Sequence, residues 1–315
     1  MSEATIPKLI SVDWGTTNLR ACLVGRNDQV IDQISSNQGL LSRPENFEQC
    51  LLSLIGHWLD PSAPLNIILS GMVGSPSGWQ EVPHLPAPAT IADLANGATQ
   101  ISQIQGSRVW IVPGVFGKGA AGIHDIMRGE EVQFFGAEDL RRRQGLPPPA
   151  YWCFPGTHNK WIPAGKTIEQ LSTSMVGEFF ELARRHSLLA QSMEEDLASA
   201  GDPQAKTEAF SRGLANAQLP GGLLHHVFSV RTLQLTNRHS KAIGEDYLSG
   251  IFIGHDVLAQ LGHVPTEVGI VAAPSLAARY TQALDGLGHS CFTIDTQAAT
   301  VAGAGLIENC LPNVA

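Results

Sequence analysis

The chain has 315 residues and carries 20 Lys and Arg against 29 Asp and Glu, a formal net charge of −9. With 43% hydrophobic and 16% charged residues it has the composition of a globular protein, neither disordered nor fibrous, at a length that suits about two domains. The acidic balance excludes a general nucleic-acid binder, which needs a basic excess to displace phosphate counterions, and no apolar run approaches the ~18 residues of a membrane span.

Lys8 to Asp13 is a short apolar strand, WGTTN turns it, and Leu19 to Val24 returns with alternating apolar residues. After the turn composition GRND a third strand runs from Gln29 to Ser36, so the chain opens as a three-strand meander. Phe47, Leu51, Leu54, Ile55, Trp58 and Leu59 recur at helical spacing. A buried strand over Leu65 to Leu69 ends at SGMVGS, and residues 75–90 form a long loop rich in Pro and Ser, of the kind that carries function. Val109 to Val112 is a strand and 130–143 a helix, whose closing Arg141-Arg142-Arg143 run reads as a solvated last turn favoured by the helix dipole. The second half begins with a strand over Tyr151 to Phe154, the corner PGTHN and a return over Lys160 to Pro163. Helices are expected over about 174–189, 205–218 and 245–261, then a strand over Glu267 to Ala272 and a helix from Pro274 to Leu287 with proline in its first turn. A strand over Ser290 to Ile294 and a helix from Thr296 to Cys310 close the chain, and the mixture is α/β.

The five cysteines are an odd number with no CxxC pair, and Cys22, Cys153 and Cys291 lie in apolar runs, which reads as reduced core thiols in a cytoplasmic protein. MSEATIPK lacks the apolar core and small-residue site of a secretory leader. Two segments share one design: Asp13-Trp14-Gly15-Thr16-Thr17-Asn18 and Phe154-Pro155-Gly156-Thr157-His158-Asn159 are strand, Gly-Thr corner, strand, each opening one half of the chain. Glycine lets backbone approach a phosphate closely, and neighbouring amides and hydroxyls then donate to its oxygens. Spacing alone leaves two readings, a phosphate clasp or two ordinary tight turns.

DWGTTNLR is similar to the first phosphate motif of the sugar-kinase/actin/heat-shock ATPase superfamily, PGTHNKW to its second, and GIVAAPSLAARYTQAL to its adenosine-binding segment. More narrowly, DWGTTNLR, SGMVGSPSGW, PGVFGKG, MRGEE, PGTHNKW and YLSGIFIG, in that order and over nearly the whole chain, resemble the 2-dehydro-3-deoxygalactonokinase family. The resemblance implies a two-domain actin-like (ribonuclease H-like) fold with a central interdomain cleft. It places a substrate-side domain over 1–115, a nucleotide-binding domain over 116–295 and a closing helix over 296–315. It implies ATP and Mg²⁺, phosphorylation of the 6-hydroxyl of 2-dehydro-3-deoxygalactonate in galactonate breakdown, and a small sugar acid as partner, with no nucleic acid or membrane. Oligomeric state is left open, a homodimer included.

Phosphoryl transfer needs positioning, a divalent cation and a proton acceptor. Under the resemblance, Asp13 holds hydrated Mg²⁺, which keeps several waters and takes few carboxylates. Gly15, Thr16, Thr17 and Asn18, with Gly156 and Thr157, cradle the phosphates, and Ala273 and Pro274 meet the adenosine. Arg20 adds charge near the transferring group or pairs outward with a carboxylate. Glu130 stands where related sugar kinases carry the Asp that accepts the hydroxyl proton; Glu131 and Asp125 are alternatives, and a carboxylate at a helix start is also ordinary capping. Ser75, Ser77, Trp79 and Glu81 are substrate-side candidates, Trp79 alternatively anchoring its loop on prolines. His158 and Lys160 are candidates for the substrate carboxylate or a phosphate.

Gly117 to Gly122 is a literal GxGxxG, but the acidic residue ~20 positions on that a dinucleotide fold places at a second strand end, Glu138, falls in a helical pattern. The stretch reads instead as an interdomain crossing, with Gly114 to Gly122 a hinge. His225-His226 lacks a third ligand at helical or hairpin spacing. The rival functions are a kinase for another sugar acid such as 2-dehydro-3-deoxygluconate, a non-catalytic ATP-binding sensor and, discounted on the motif, an NAD oxidoreductase.

Overall fold

The computed structural model describes residues 6–42, 44, 46–119, 121–193 and 202–312. β1 (Pro7–Trp14), β2 (Leu19–Gly25) and β3 (Val30–Ser36) form the expected meander, with Asp13 opposite Arg20 and Trp14 opposite Leu19. α1 (Phe47–Ile55), capped by Asn46, leads to β4 (Asn66–Gly71), which runs parallel to β1 and puts Ser70 beside Asp13. β5 (Leu85–Pro86) precedes α2 (Ile91–Gly97), whose start carries a Thr90–Asp93 capping box. β6 (Thr99–Ile104) and β7 (Ser107–Ile111) complete a six-stranded sheet in the order β3-β2-β1-β4-β7-β6. β8 (Val115–Lys118) and β9 (His124–Met127) pair with each other, and β8 with β5, in a separate three-stranded sheet. α3 (Glu130–Arg143) follows. The core on this sheet gathers fully buried Ile10, Val12, Trp14, Leu19, Leu69 and Ile111, each side chain of this size stabilising the fold by about 1.5–3 kcal/mol.

β10 (Tyr151–Phe154) and β11 (Asn159–Pro163) are neighbours in a five-stranded sheet of order β12-β11-β10-β13-β14, which includes β12 (Ser172–Ser174), β13 (Glu267–Val271) and β14 (Ser290–Ile294). Between these strands run α4 (Val176–His186), α5 (Pro203–Ala217), α6 (Gly222–Leu235), α7 (Gly244–Leu261) and α8 (Pro274–Gly286). α9 (Thr296–Cys310), capped by Asp295, ends the chain. β13 runs parallel to β10 as β4 does to β1, so the shared design of the two corners extends to the strand beside each.

The chain divides into two compact units: residues 1–148, 162–172 and 294–315 in the first, and 149–161 and 173–293 in the second. The expected boundary at 115/116 therefore falls inside the first unit. The interdomain-crossing reading of Gly117 to Gly122 is corrected by the same division. Gly117 and Lys118 are strand residues paired to Asp125 and His124, so the stretch is fastened within one unit; Ala120 lies outside the described residues. α9 belongs to the first unit, where it crosses α3 at backbone distance: a Cβ on Gly136 would sit 1.8 Å from the Ala299 oxygen, and one on Gly303 2.0 Å from that of Val132. The Arg141 to Arg143 turn is not merely solvated, because Arg143 pairs with Asp28 at 2.6 Å and Asp139 at 2.5 Å, and Arg142 also reaches Asp139. The five cysteines are unpaired, with Cys22 and Cys153 buried and Cys291 half-buried. Among the described residues no helix is long and apolar enough to cross a membrane.

Candidate active site

The first corner is braced from its carbonyl side. Amides of Gly39, Leu40 and Leu41 donate to the oxygens of Thr17 (3.1 Å), Gly15 (3.0 Å) and Thr16 (2.9 Å), and Trp14 Nε1 donates to the Gln38 oxygen at 3.1 Å. Only glycine fits at 39, where a Cβ would lie 2.2 Å from the Thr17 carbonyl carbon. The Gly15 amide closes its own turn onto the Asn18 oxygen at 2.9 Å. Thr16, Thr17 and Asn18 are exposed, so the corner presents two threonine hydroxyls and an amide side chain to solvent.

Asp13 stands at the end of β1 immediately before this corner. Burial pushes its carboxyl up to about 6, against the opposing pull of Arg20, and the negative charge of Glu130 pushes in the same direction as burial. Asp13, Arg20 and Glu130 thus form one electrostatic cluster in the first unit. Arg20 lies directly across the ladder from Asp13, close enough for its charge to pull the Asp13 carboxyl down. Ser11, Asp13, Arg20 and Cys22 face Thr296 and Thr300 of α9 across a recess of about 270 Å³.

Glu130 and Glu131 open α3 but have different surroundings. Glu130 is half-buried and close enough to raise both Asp13 and Glu131. Glu131 is fully buried, and both its oxygens accept from the Gly129 amide at 2.8 Å; burial first, then Glu130, pushes its carboxyl up to about 8. It clamps the helix start instead of facing solvent. The third alternative, Asp125, sits on β9, where it accepts from the Ile126 amide at 2.7 Å.

The loop after β4 holds the other candidates of this unit. Ser75 is buried, with no hydrogen-bond partner for its hydroxyl, whereas Ser77 and Glu81 are exposed. Trp79 is half-buried and stacks on Phe47, with ring centroids 6.3 Å apart and planes at 15°, which ties the loop to an aromatic ring of α1. Sequence reasoning singled out the MRGEE motif but not Arg128 within it. Arg128 Nη2 donates to the Val82 oxygen at 2.7 Å and lies 3.3 Å from His84 Nδ1, tying this loop to the segment that leads into Glu130.

In the second unit the corner is braced in the same manner. The Glu178 amide donates to the Thr157 oxygen at 2.9 Å, and a Cβ on Gly177 would lie 2.3 Å from the Gly156 oxygen. Thr157 and His158 are exposed, and His158 Nε2 is paired with Glu178. Lys160 is 6% exposed, its Nζ 3.5 Å from the His158 oxygen. Beside the corner a recess of about 380 Å³ is walled by apolar Val176, Phe180, Phe252 and Leu276, with Asn159 and Ser249 as polar groups. Ala273 and Pro274 are exposed at the start of α8, one turn before Leu276 and about two before Tyr280, whose side chains line this recess. His226, by contrast, meets a third histidine, His255, at 2.9 Å, yet no group of three or more His, Cys, Asp or Glu placed to hold a metal occurs among the described residues.

The chain is similar to known proteins over nearly its whole length. Residues 13–307 match the family model described as 2-keto-3-deoxy-galactonokinase. The chain is 30% identical over 310 residues to the 2-dehydro-3-deoxygalactonokinase of Escherichia coli (strain K12), covering 97% of this chain and 99% of that protein. It is 33% identical over 300 residues to a probable 2-dehydro-3-deoxygalactonokinase of Rhizobium meliloti (strain 1021), covering 93% and 94%. Among solved structures, a protein from Sinorhizobium meliloti described as a 2-dehydro-3-deoxygalactonokinase superposes with a TM-score of 0.80 at 32% identity, over 98% of each chain. By these matches the chain belongs to the 2-keto-3-deoxy-galactonokinase family.

Proposed function

We propose that this kinase transfers the terminal phosphoryl group of ATP to the 6-hydroxyl of 2-dehydro-3-deoxygalactonate, with Glu130 as the base and Asp13 as the magnesium ligand. The observation that carries the assignment is the nearness of these two carboxylates: Glu130 is close enough to push Asp13 up, and Asp13 ends the strand that leads into the exposed Thr16–Asn18 corner. The donor set suits Mg²⁺, which takes one or two carboxylates and fills its remaining positions with water and phosphate oxygens. A partly buried Asp13 held up at about 6 is a group whose ionised form a divalent cation would stabilise. Bound there, Mg²⁺ would neutralise phosphate charge.

Glu130 then accepts the proton of the attacking hydroxyl, while Glu131 keeps the helix start in place. Thr16, Thr17 and Asn18 of the first corner, and Thr157 of the second, donate to phosphate oxygens. Gly15 and Gly156 serve by shaping the turns, since their amides close onto Asn18 and Asn159. The apolar recess between α4, α7 and α8 takes the nucleobase, with Ala273 and Pro274 beside it. Ser77 and Glu81 meet the sugar, Ser75 and Trp79 hold their loop, and His158 and Lys160 meet anionic oxygen. ATP as co-substrate and five unpaired cysteines support the cytoplasm as its compartment. Coupled measurement of ADP release tests the reading. Release should require a 2-keto-3-deoxy sugar acid and favour the galactonate-derived epimer over the gluconate-derived one.

A further inference from the structure

The second corner is held by a buried chain of hydrogen bonds whose far end lies on a helix away from the turn. The Gly156 amide donates to Asn159 Oδ1 at 2.9 Å, and Asn159 Nδ2 donates to Asp256 Oδ2 at 3.0 Å. Trp161 Nε1 donates to the same oxygen at 3.0 Å, and the Tyr280 hydroxyl contacts both Asn159 and Asp256. Asn159, Trp161, Asp256 and Tyr280 are each 5% exposed or less. A buried carboxylate costs several kcal/mol unless it is well hydrogen-bonded, and no ion pair offsets this one among the described residues. Burial accordingly pushes Asp256 up, while its donors pull it down. An apolar side chain at this point of α7 would leave the buried donors of Asn159 and Trp161 without their acceptor. What the carboxylate adds is an acceptor for two donors from β11, the strand that leaves the corner.

The same helix forms part of the recess: Ser249, Phe252 and Ile253 line it, and Asp256 follows Phe252 by one turn. Tyr280, from α8, lines the recess and belongs to the hydrogen-bonded chain.

We propose that Asp256 is a positioning residue for the nucleotide: acting through Asn159, it fixes the Gly156 amide and hence the direction in which the Thr157 corner points. The proposal rests on the reading that this corner meets the phosphates of ATP. Asn159 suits this place because its side chain has both an acceptor and a donor, and so links Gly156 to α7.

The test is steady-state kinetics on the full chain with ATP and the sugar acid varied separately. D256L should raise KM for ATP by roughly tenfold, the scale expected when a binding group is misplaced by a fraction of an ångström, and leave KM for the sugar acid within about twofold. D256N, which keeps an acceptor for Asn159 and Trp161, should recover most of the ATP affinity. N159A should reproduce the D256L split and decides the matter if D256L fails to fold. T157E, which sets a negative charge at the exposed corner, checks the underlying reading and should weaken ATP on its own. An unchanged KM for ATP in T157E would overturn that reading and the proposal with it. A raised KM in T157E beside an unchanged one in D256L and N159A would overturn the proposal alone. Equal rises in both KM values with a lowered Tm would also overturn it, marking Asp256 as structural.

Discussion

Glu130 and Glu131 are adjacent in sequence and differ in surroundings, the first half-buried and the second fully buried. Consecutive helical residues point about 100° apart, so one can face the site while its neighbour enters the core. The sequence narrows the base to a few carboxylates and stops there, because the difference between them is packing: Glu131 is sealed around the Gly129 amide. E130Q should lower kcat by roughly 10²- to 10⁴-fold while calorimetry still registers ATP binding, the range expected for loss of a general base. E131Q should act on stability. The folded protein retains the Glu131 proton until about pH 8, whereas the unfolded chain releases it near 4.5, so stability falls as pH rises between those values. Gln does not titrate, and Tm scans should show its advantage over wild type growing from pH 5 to pH 8. For Asp13 the consequence is catalytic. As the proposed magnesium ligand it must be ionised, so kcat/KM for ATP should fall as pH drops through about 6, and raising magnesium should move that fall lower.

At the scale of elements, each Gly-Thr corner owes its shape to a glycine outside it. Gly39 and Gly177 approach the corners so closely that G39A or G177A must displace backbone. Each should cost roughly 1–3 kcal/mol, read by denaturant unfolding, and weaken ATP binding more than sugar-acid binding. The corners themselves were legible because strand, Gly-Thr and strand is a local pattern; the braces were not, since their partners lie over 20 positions away in each case. Asn159 escaped for the same reason, as its partners Asp256 and Tyr280 come from distant helices. α6 gave no periodic signal: GLLHHVFSVRTLQL is apolar on both faces, with Val230 buried and Leu224 and Phe228 exposed. The β8–β9 hairpin was hidden by its glycines, which read as a crossing until the pairing of Gly117 with Asp125 showed a strand.

For the whole molecule, the class of fold, the order of the major elements and the family were readable from ordered motifs spread along the chain. The division into units was not. The first unit takes back residues 162–172 and 294–315, and no local change of composition announces a chain that leaves a unit and returns. The core claim is that Glu130 deprotonates a sugar-acid hydroxyl in an ATP-dependent kinase. ADP release by wild type and E130Q, with and without 2-dehydro-3-deoxygalactonate, tests it most directly. The account predicts release that needs the sugar acid and falls at least 100-fold in the variant, in line with loss of a proton acceptor. Release independent of the sugar acid, or an E130Q enzyme as fast as wild type, would contradict it.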